Sequence, residues 1–282
     1  MQIRQRIEEI SDNLTSSERK LASALLADYP FAGLETIQTL AERTQVSAPS
    51  ITRFVHKIGC QGYQEFQRCL IGELKEGQWS PIDIRLASLP TKAGLLRDYV
   101  ERAAAVASAV ADNVTEDQFA RVCGLLGDES RSIYVLGGRI SESIGILLSR
   151  HLRQMRRNVF QLPGDPEQWP EYFLRMRSRD ILIIFDFRRY QKNLEEAARL
   201  ASRDQGIGII LVTDKWMSPI SGMASEILAV PIENGTAWDC WVGAVTLIEA
   251  IIGQVSENDW DATRTRVEAW DALRLNHERV DA

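Results

Sequence analysis

The sequence predicts an all-α N-terminal domain with a helix-turn-helix, followed by an α/β domain with a doubly wound, mostly parallel five-stranded sheet. Three observations support this fold class. Through position 76, apolar residues recur at helical spacing. Later, short runs of Ile, Val and Leu alternate with amphipathic segments, as in a parallel sheet covered on both faces. Between the two patterns, residues 77–92 contain Pro and Ser without sustained periodicity.

These patterns divide the 282 residues into three segments. Residues 1–76 form the predicted helix-turn-helix domain, residues 77–92 a linker, and residues 93–282 the α/β domain with a C-terminal helical tail. Both domains have enough apolar residues for a core, because 45% of the chain is hydrophobic and 26% is charged.

Charge limits the classes of protein that this chain can represent. A formal net charge of -6 argues against a protein that coats nucleic acid without sequence preference. It does not argue against a small DNA-binding domain joined to an acidic partner domain. Basic and acidic residues nearly balance through Glu76, so DNA affinity would depend on local clustering and on pairing of two such domains.

The sequence predicts neither a metal nor another cofactor. The four cysteines and three histidines are scattered without metal-ligand spacing, which favours free thiols in a reducing compartment. The N-terminus lacks the apolar segment of a signal peptide. Residues 241–255 are apolar but include Glu249 and fall short of the roughly 20 residues of a membrane span. We therefore expect a cytoplasmic protein without a membrane partner.

The first domain is predicted to begin with two helices. Residues 3–11 carry isoleucines at helical spacing. Residues 16–29 form the second helix, with Thr15 or Ser16 as its N-cap and Pro30 as its stop.

Residues 34–59 are predicted to form the helix-turn-helix. Ile37 and Leu40 give the first helix an inward face, and Val46 fills the turn. Ser47 is placed to cap the second helix, whose apolar positions are spaced i, i+3, i+4 and i+7: Ile51, Phe54, Val55 and Ile58.

The opposite face of this second helix is predicted to enter a DNA major groove. Small polar residues at its N-terminal end permit close approach to base edges, and basic residues behind them meet phosphates. The predicted DNA-binding residues are Ser47, Pro49, Ser50, Thr52, Arg53, His56 and Lys57. The alternative is a generic three-helix bundle whose polar face is solvated.

In the second domain, five apolar runs predict strands and the intervening segments predict helices. The strands are expected at residues 132–136, 158–162, 181–185, 207–212 and 227–230. The helices are expected at residues 93–114, 116–126, 141–155 and 193–204, with a further helix beginning near Trp238.

The first domain resembles the N-terminal domain of the RpiR/MurR family of bacterial transcription regulators. The matching elements are a helix with Leu-Ala at its end (37–41), the turn Val46-Ser47, the pair Arg53-Phe54, and the Gly-x-x-Gly-Tyr-x-x-Phe segment within 58–66. Pro49 departs from the pattern, but the first turn of a helix tolerates proline. The resemblance implies DNA binding at a double-stranded operator.

The second half, from about residue 93, resembles the SIS (sugar isomerase) domain of the same family. Three segments carry the match: residues 133–141, 180–185 and 209–219. Strand ends of such sheets surround a ligand crevice. The resemblance implies these ligand-binding positions: Gly137, Arg139, Ser141, Asp186, Arg188, Arg189, Thr213 and Ser218.

The second domain departs from its family at the ligand crevice. Arg139 replaces the second glycine of a G-x-G-x-S turn. The phosphate-binding S-x-S-G-x-T is replaced by residues 186–191, so that Asp186, Arg188 and Gln191 take its hydroxyl positions. Either the arginines bind an anionic metabolite, a sugar phosphate or related acid, or Asp186 pairs with an arginine and fills the crevice.

The sequence predicts no enzyme. Glu233, Asp239 and His277 are acid-base candidates only because they lie in the C-terminal half, and none belongs to a recognisable catalytic motif. A sugar-phosphate isomerase and a ligand-insensitive DNA-binding protein remain the alternatives. The helical tail favours a homodimer or homotetramer, which would supply paired DNA-binding domains.

Overall fold

The computed structural model describes residues 2–87, 95–204 and 206–278. The chain forms two compact units that divide between Trp79 and Ser80. Within the described residues, no helix is both long enough and apolar enough to cross a membrane.

The first unit contains five α-helices and two short 3-10 turns. The helices are α1 (Ile3–Glu9), α2 (Ser16–Ala27), α3 (Ile37–Thr44), α4 (Ala48–Lys57) and α5 (Tyr63–Glu76). The 3-10 turns are Ser11–Asn13 and Phe31–Leu34. The first two helices end earlier than predicted, whereas the predicted N-cap of α2 is confirmed: Thr15 and Glu18 form a reciprocal capping box.

A buried carboxylate joins three segments of this unit. Glu73 of α5 accepts hydrogen bonds from the backbone N–H of Ile3, at 2.8 Å, and from the hydroxyl of Tyr29. Burial raises the pKa of Glu73, whereas the hydrogen bond from Tyr29 opposes that shift. The carboxylate therefore ties α1 and the end of α2 to the last helix.

The predicted linker, residues 77–92, is not wholly irregular. Helix α6 (Pro81–Ala87) lies inside it, with Ser80 and Asp83 hydrogen-bonded at its start. Residues 88–94 lie outside the described residues, so the predicted linker boundaries stay a prediction.

The second unit is the predicted doubly wound α/β domain. Its strands are β1 (Ile133–Gly137), β2 (Val159–Gln161), β3 (Ile181–Phe185), β4 (Gly208–Thr213) and β5 (Glu226–Ala229). Its remaining helices are α7 (Leu95–Ser108), α8 (Val110–Asn113), α9 (Glu116–Gly127), α10 (Glu142–Met155), α11 (Trp169–Phe173), α12 (Lys192–Asp204), α13 (Val242–Asn258) and α14 (Trp260–Glu278). Two 3-10 turns, Pro166–Gln168 and Pro219–Met223, complete the unit.

The five strands form one parallel sheet in the order β2-β1-β3-β4-β5. Alternate residues of each strand face opposite layers. On one face Val135, Ile183 and Val212 pack in a core with α9, α10 and α13. On the other face Tyr134, Leu182 and Leu211 pack against α11 and α12. Both faces are thus covered, as the apolar runs predict.

The strand order fixes where a ligand crevice can form. The chain crosses to one face of the sheet after β1 and to the other after β3, so the loops at their carboxyl ends diverge. The crevice of such a fold lies at this switch point, beyond Gly137 and Phe185.

Candidate functional site

The helix-turn-helix has a buried face and an exposed face, as the apolar spacing predicts. Ile51, Phe54 and Val55 are fully buried, and Val46 is buried in the turn. Gln45 takes the left-handed conformation, with φ 54°, that ends α3 and lets the chain reverse. The opposite side of α4 is therefore free of contacts with the core of its own unit.

The predicted DNA-binding residues share this outer side. Ser47, Pro49, Arg53, His56 and Lys57 are exposed, whereas Ser50 and Thr52 are half-buried. Ser47 occupies the N-cap position, but its side chain makes no capping hydrogen bond. Its hydroxyl lies 3.0 Å from that of Ser50, which also accepts a hydrogen bond from Arg53. The expectation that the Ser47 side chain caps α4 is therefore wrong.

Lys57 is engaged within the first unit. Its ammonium donates to the carbonyl of Asn13, at 2.7 Å, and lies 3.0 Å from the carboxylate of Glu18. These contacts hold the end of α4 to the start of α2. Arg53, by contrast, has a side-chain hydroxyl as its partner and retains its full positive charge for a phosphate.

A cleft of about 390 Å³ opens in the second unit at the carboxyl ends of β1 and β3. Its lining combines cationic, anionic and aromatic side chains. The lining residues are Gly138, Arg139, Ile140, Ser141, Asp186, Phe187, Arg188, Arg189, Gln191, Asp239 and Trp241. Five predicted ligand-binding residues meet here: Arg139, Ser141, Asp186, Arg188 and Arg189.

The loop after β1 is closed by its own hydrogen bonds. A Cβ on Gly137 would lie 2.5 Å from the Cα of Glu142, so this tight turn requires glycine. Ser141 accepts from the N–H of Gly138, at 2.9 Å, and donates to the carbonyl of Phe185, at 2.7 Å. The N–H of Arg139 donates to the side-chain oxygen of Gln191. Two backbone donors of this loop, the N–H groups of Gly138 and Arg139, are thus already in use.

Asp186 occupies the corresponding position after β3. Its carboxylate accepts from the hydroxyl of Ser218, at 2.6 Å, and from the N–H of Gln191 ahead of α12, at 3.3 Å. The residue is 2% exposed, and burial raises the pKa of its carboxyl to about 7, against the effect of the Ser218 hydrogen bond. A protein carboxyl group therefore occupies one backbone donor, the N–H of Gln191 just ahead of α12.

Thr213 and Ser218 do not line the cleft. Thr213 is fully buried, and its hydroxyl accepts from the N–H of Ser218. Ser218 in turn orients Asp186. Together with Gly137, these two predicted ligand-binding residues support the cleft instead of facing it.

Arg188 is the centre of a buried charge network. Its side chain is 1% exposed, and its guanidinium lies 4.0 Å from the ring centroid of Trp216. Its nitrogens lie 3.4 Å from a carboxylate oxygen of Glu233 and 3.6 Å from one of Asp239. The expected pair between Asp186 and an arginine does not form, because Glu233 and Asp239 neutralise Arg188.

A second buried carboxylate holds the backbone beneath this network. Asp214 accepts from the N–H groups of Arg188 and Trp216 and from the hydroxyl of Tyr190. Burial raises the pKa of Asp214 to about 6, although those hydrogen bonds oppose the shift. Asp214 therefore fixes the course of the loop that carries the arginines.

Two guanidinium groups remain at the mouth of the cleft. Arg139 and Arg189 are exposed, and within the described residues neither side chain forms an ion pair or hydrogen bond. Arg189 takes a left-handed backbone conformation, φ 65°, which is uncommon for a residue with a Cβ. The cleft thus offers two positive charges next to the aromatic rings of Phe187 and Trp241, which pack edge to face.

Several residues of this site were not predicted from the sequence. Phe187 and Asp214 are not among the predicted site residues, although Asp214 directly follows β4. Gln191 is predicted only as the occupant of a motif position, and Asp239 only as an acid-base candidate. No group of three potential metal ligands is found in the part of the chain that the structure describes.

The aromatic and histidine residues of this region differ in their placement. Trp241 lines the cleft, Trp216 lies beneath Arg188, and Trp238 is exposed. The side chain of His277 lies outside the described residues.

Comparison with protein families divides the chain as the structure does. A model described as a helix-turn-helix domain of the rpiR family matches residues 1–77, and a model of the SIS domain matches residues 128–252. The first matched segment contains the helix-turn-helix, and the second contains all five strands and every residue that lines the cleft.

Solved structures share this fold. The Vibrio vulnificus NanR protein complexed with ManNAc-6P is 18% identical, with 96% of this chain and 97% of that chain covered and a TM-score of 0.54. The sugar isomerase domain of an RpiR transcription factor from Sphaerobacter thermophilus is 14% identical, covering 64% and 99% of the two chains with a TM-score of 0.56. A phosphosugar isomerase homologue involved in capsule formation from Bacteroides fragilis is 14% identical, covering 61% and 97%, with a TM-score of 0.51.

Proposed function

Because the chain belongs to the rpiR family by its helix-turn-helix domain and carries a SIS domain, we propose that it is a DNA-binding transcription regulator controlled by a small anionic metabolite. The observation that carries the DNA-binding part is the outer face of α4, where Arg53 and His56 are exposed beside small polar residues. The protein would act where the DNA is, in the cytoplasm.

The two unpaired arginines at the cleft mouth support the metabolite. Arg139 and Arg189 can each bind a carboxylate or phosphate through two parallel hydrogen bonds. The structure of NanR with ManNAc-6P provides a protein of this fold in complex with a phosphorylated sugar. In this chain the anionic group would meet arginine side chains, because Ser141, Gln191 and Asp186 already accept from the N–H groups of Gly138, Arg139 and Gln191.

A ligand-insensitive regulator is the second candidate. The observation that favours it is that Arg188 already pairs with Glu233 and Asp239, and that Asp186 already accepts from Ser218. Only the rim of the cleft is then left to bind a ligand. An isomerase is less well supported, because Glu233 and Asp239 are engaged by Arg188 and are not placed as a free acid and base.

The test measures, by fluorescence anisotropy, how the full chain binds DNA from upstream of its own gene. Binding is measured with and without sugar phosphates and small organic acids. We expect a metabolite to change DNA affinity in the wild type. Arg53→Ala should weaken DNA binding, whereas Arg189→Ala should keep the wild-type DNA affinity and lose the metabolite effect. Arg199→Ala is the matched control, because Arg199 is an exposed arginine paired with Glu195 outside the cleft.

Each outcome separates the candidates. DNA binding that no metabolite alters would support the ligand-insensitive regulator. Failure of the wild-type protein to bind this or any genomic DNA would contradict the regulator. Interconversion of aldose and ketose phosphates by the purified chain would favour the isomerase.

A further inference from the structure

A second cavity, of about 490 Å³, opens at the amino ends of β1, β2 and β3. Ser132, Asn158 and Asp180, which directly precede these strands, line it. This amino-end cavity is therefore at the edge of the sheet opposite the cleft. Three arginines from the segment between α11 and β3 share its lining: Arg175, Arg177 and Arg179.

The segment that carries these arginines is held firmly. Asp180, which is buried, accepts from the N–H groups of Ser132 and Arg177, both at 2.9 Å. Arg131 donates to the carbonyl of Arg179, at 2.7 Å, and its own guanidinium is fixed by Asp128. The backbone beneath the arginines is thus ordered before any ligand binds, which lowers the entropic cost of binding.

One of the guanidinium groups is also oriented by aromatic rings. Arg175 lies 5.1 Å from the ring centroid of Phe160, and Phe160 stacks on Tyr134 with centroids 5.1 Å apart. Burial raises the pKa of Tyr134, while Arg175 and Arg177 lower it, so their positive charges act at the phenol. The Arg175 guanidinium therefore lies beside an aromatic pair at the side of the cavity.

The cavity is positively charged in a chain whose net charge is -6. Within the described residues, none of the three guanidinium groups forms an ion pair. Asp180 is the acidic residue among those that line the cavity, and two backbone N–H groups occupy its oxygens. Three like charges beside one cavity repel one another, and a bound anion would relieve that repulsion.

We propose that the amino-end cavity binds the diphosphate group of a small phosphorylated metabolite. A diphosphate carries charge and acceptor oxygens that match three guanidinium groups, each able to bind two oxygens. The cavity volume lies within the range of small-molecule sites. This site is separate from the cleft and goes beyond the proposed function, which assigns the effector to the opposite edge of the sheet.

The experiment is calorimetric titration of the full chain with inorganic pyrophosphate. We expect saturable binding that weakens about tenfold in Arg177→Ala and in Arg179→Ala, as loss of one charge-assisted contact predicts. Arg177→Lys should retain more affinity than Arg177→Ala, because it keeps the charge but loses the planar geometry. Thermal unfolding of each variant without ligand shows whether it is folded, and Arg179→Ala tests the site independently of Arg177.

Two controls locate the binding. Arg199→Ala should bind pyrophosphate as the wild type does, since Arg199 does not line the amino-end cavity. Arg189→Ala reports any binding of the anion at the cleft. Absence of saturable binding in the wild type would overturn the proposal, as would loss of binding in Arg189→Ala alone, which would assign the anion to the cleft. Binding of random-sequence duplex DNA through Arg177 without pyrophosphate binding would also overturn it, in favour of a nucleic-acid surface.

Discussion

At the scale of single residues, Arg53 and Lys57 of α4 are not equivalent. Arg53 is exposed and bonded to a neutral hydroxyl, whereas Lys57 lies between the carboxylate of Glu18 and the carbonyl of Asn13. Both were predicted to contact DNA, because spacing alone cannot show that a side chain already has a partner.

We expect the difference between Arg53 and Lys57 to appear in the salt dependence of DNA binding. Arg53→Ala should reduce the slope of log affinity against log salt by about one, because one phosphate contact releases about one counterion. Lys57→Ala should change the slope less, since Glu18 already neutralises the ammonium. Binding measured by anisotropy across a salt series checks this, and equal changes in both variants would contradict it.

Asp186 gives the second unit a predicted dependence on pH. Burial raises the pKa of this carboxyl to about 7, above its value of roughly 4 in an unfolded chain. The folded state therefore binds more protons between these values, and its stability falls as pH rises through the folded pKa.

The measurement is thermal unfolding of the full chain between about pH 5 and pH 8. The transition of the second unit should move to lower temperature as pH rises. Asp186→Asn should weaken that dependence, because the amide does not titrate, and should leave the part that Asp214 contributes, whose pKa burial raises to about 6. Asp128→Asn is the control: hydrogen bonds from Ser130 lower the pKa of this carboxyl to about 2, below the tested range. An unchanged pH profile in Asp186→Asn would assign the dependence to another group.

At the scale of elements, the N-cap residues Thr15 and Ser47 of the first unit act differently. Thr15 accepts from the backbone N–H of Glu18 and completes a capping box, whereas the Ser47 side chain makes no capping bond. Both residue types are favoured at N-caps, so the sequence alone does not show which of the two side chains accepts a capping bond.

We expect Thr15→Ala to lower the free energy of unfolding of the first unit by about 1 kcal/mol. Ser47→Ala should lower it by only a few tenths, because no capping bond is lost. Denaturant titration of the full chain with a probe in the first unit checks both values. A larger cost for Ser47→Ala than for Thr15→Ala would show that Ser47 caps α4 in solution.

The start of α13 shows where helical periodicity fails as a predictor. The pattern suggests a helix from near Trp238, but α13 begins at Val242. Thr236 instead bonds to Asn234 and to the carbonyl of Trp238, which holds an irregular loop. This loop, which the helical pattern does not predict, brings Asp239 and Trp241 to the cleft.

At the scale of the whole molecule, regulation requires that the two ligands influence each other. If a metabolite weakens DNA binding by a given factor, DNA must weaken metabolite binding by the same factor. Calorimetric titration of the metabolite with and without saturating DNA measures this factor, and anisotropy measures the reverse. We expect the two factors to agree in the wild type and to approach one in Arg189→Ala. Unequal factors would indicate a third bound state.

The sequence by itself determined the fold class, the order of the strands and helices along the chain, and the inner and outer faces of the helix-turn-helix. These features follow from the spacing of apolar residues, which depends on the period of each element and on nearby positions alone. The glycine turn after β1 and the N-cap at Thr15 are also predictable, because each depends on residues only a few positions apart in the sequence.

Only the tertiary structure decided which charged and polar groups of the site are free. Arg188 pairs with Glu233, 45 positions away, Gln191 with Arg139, 52 positions away, and Lys57 with Glu18, 39 positions away. Such partners are selected by how the layers pack, because hydrogen bonds and ion pairs act over a few ångströms and sequence distance does not limit them. That packing leaves Arg139 and Arg189 as the unpaired charges of the cleft among the residues that the structure describes.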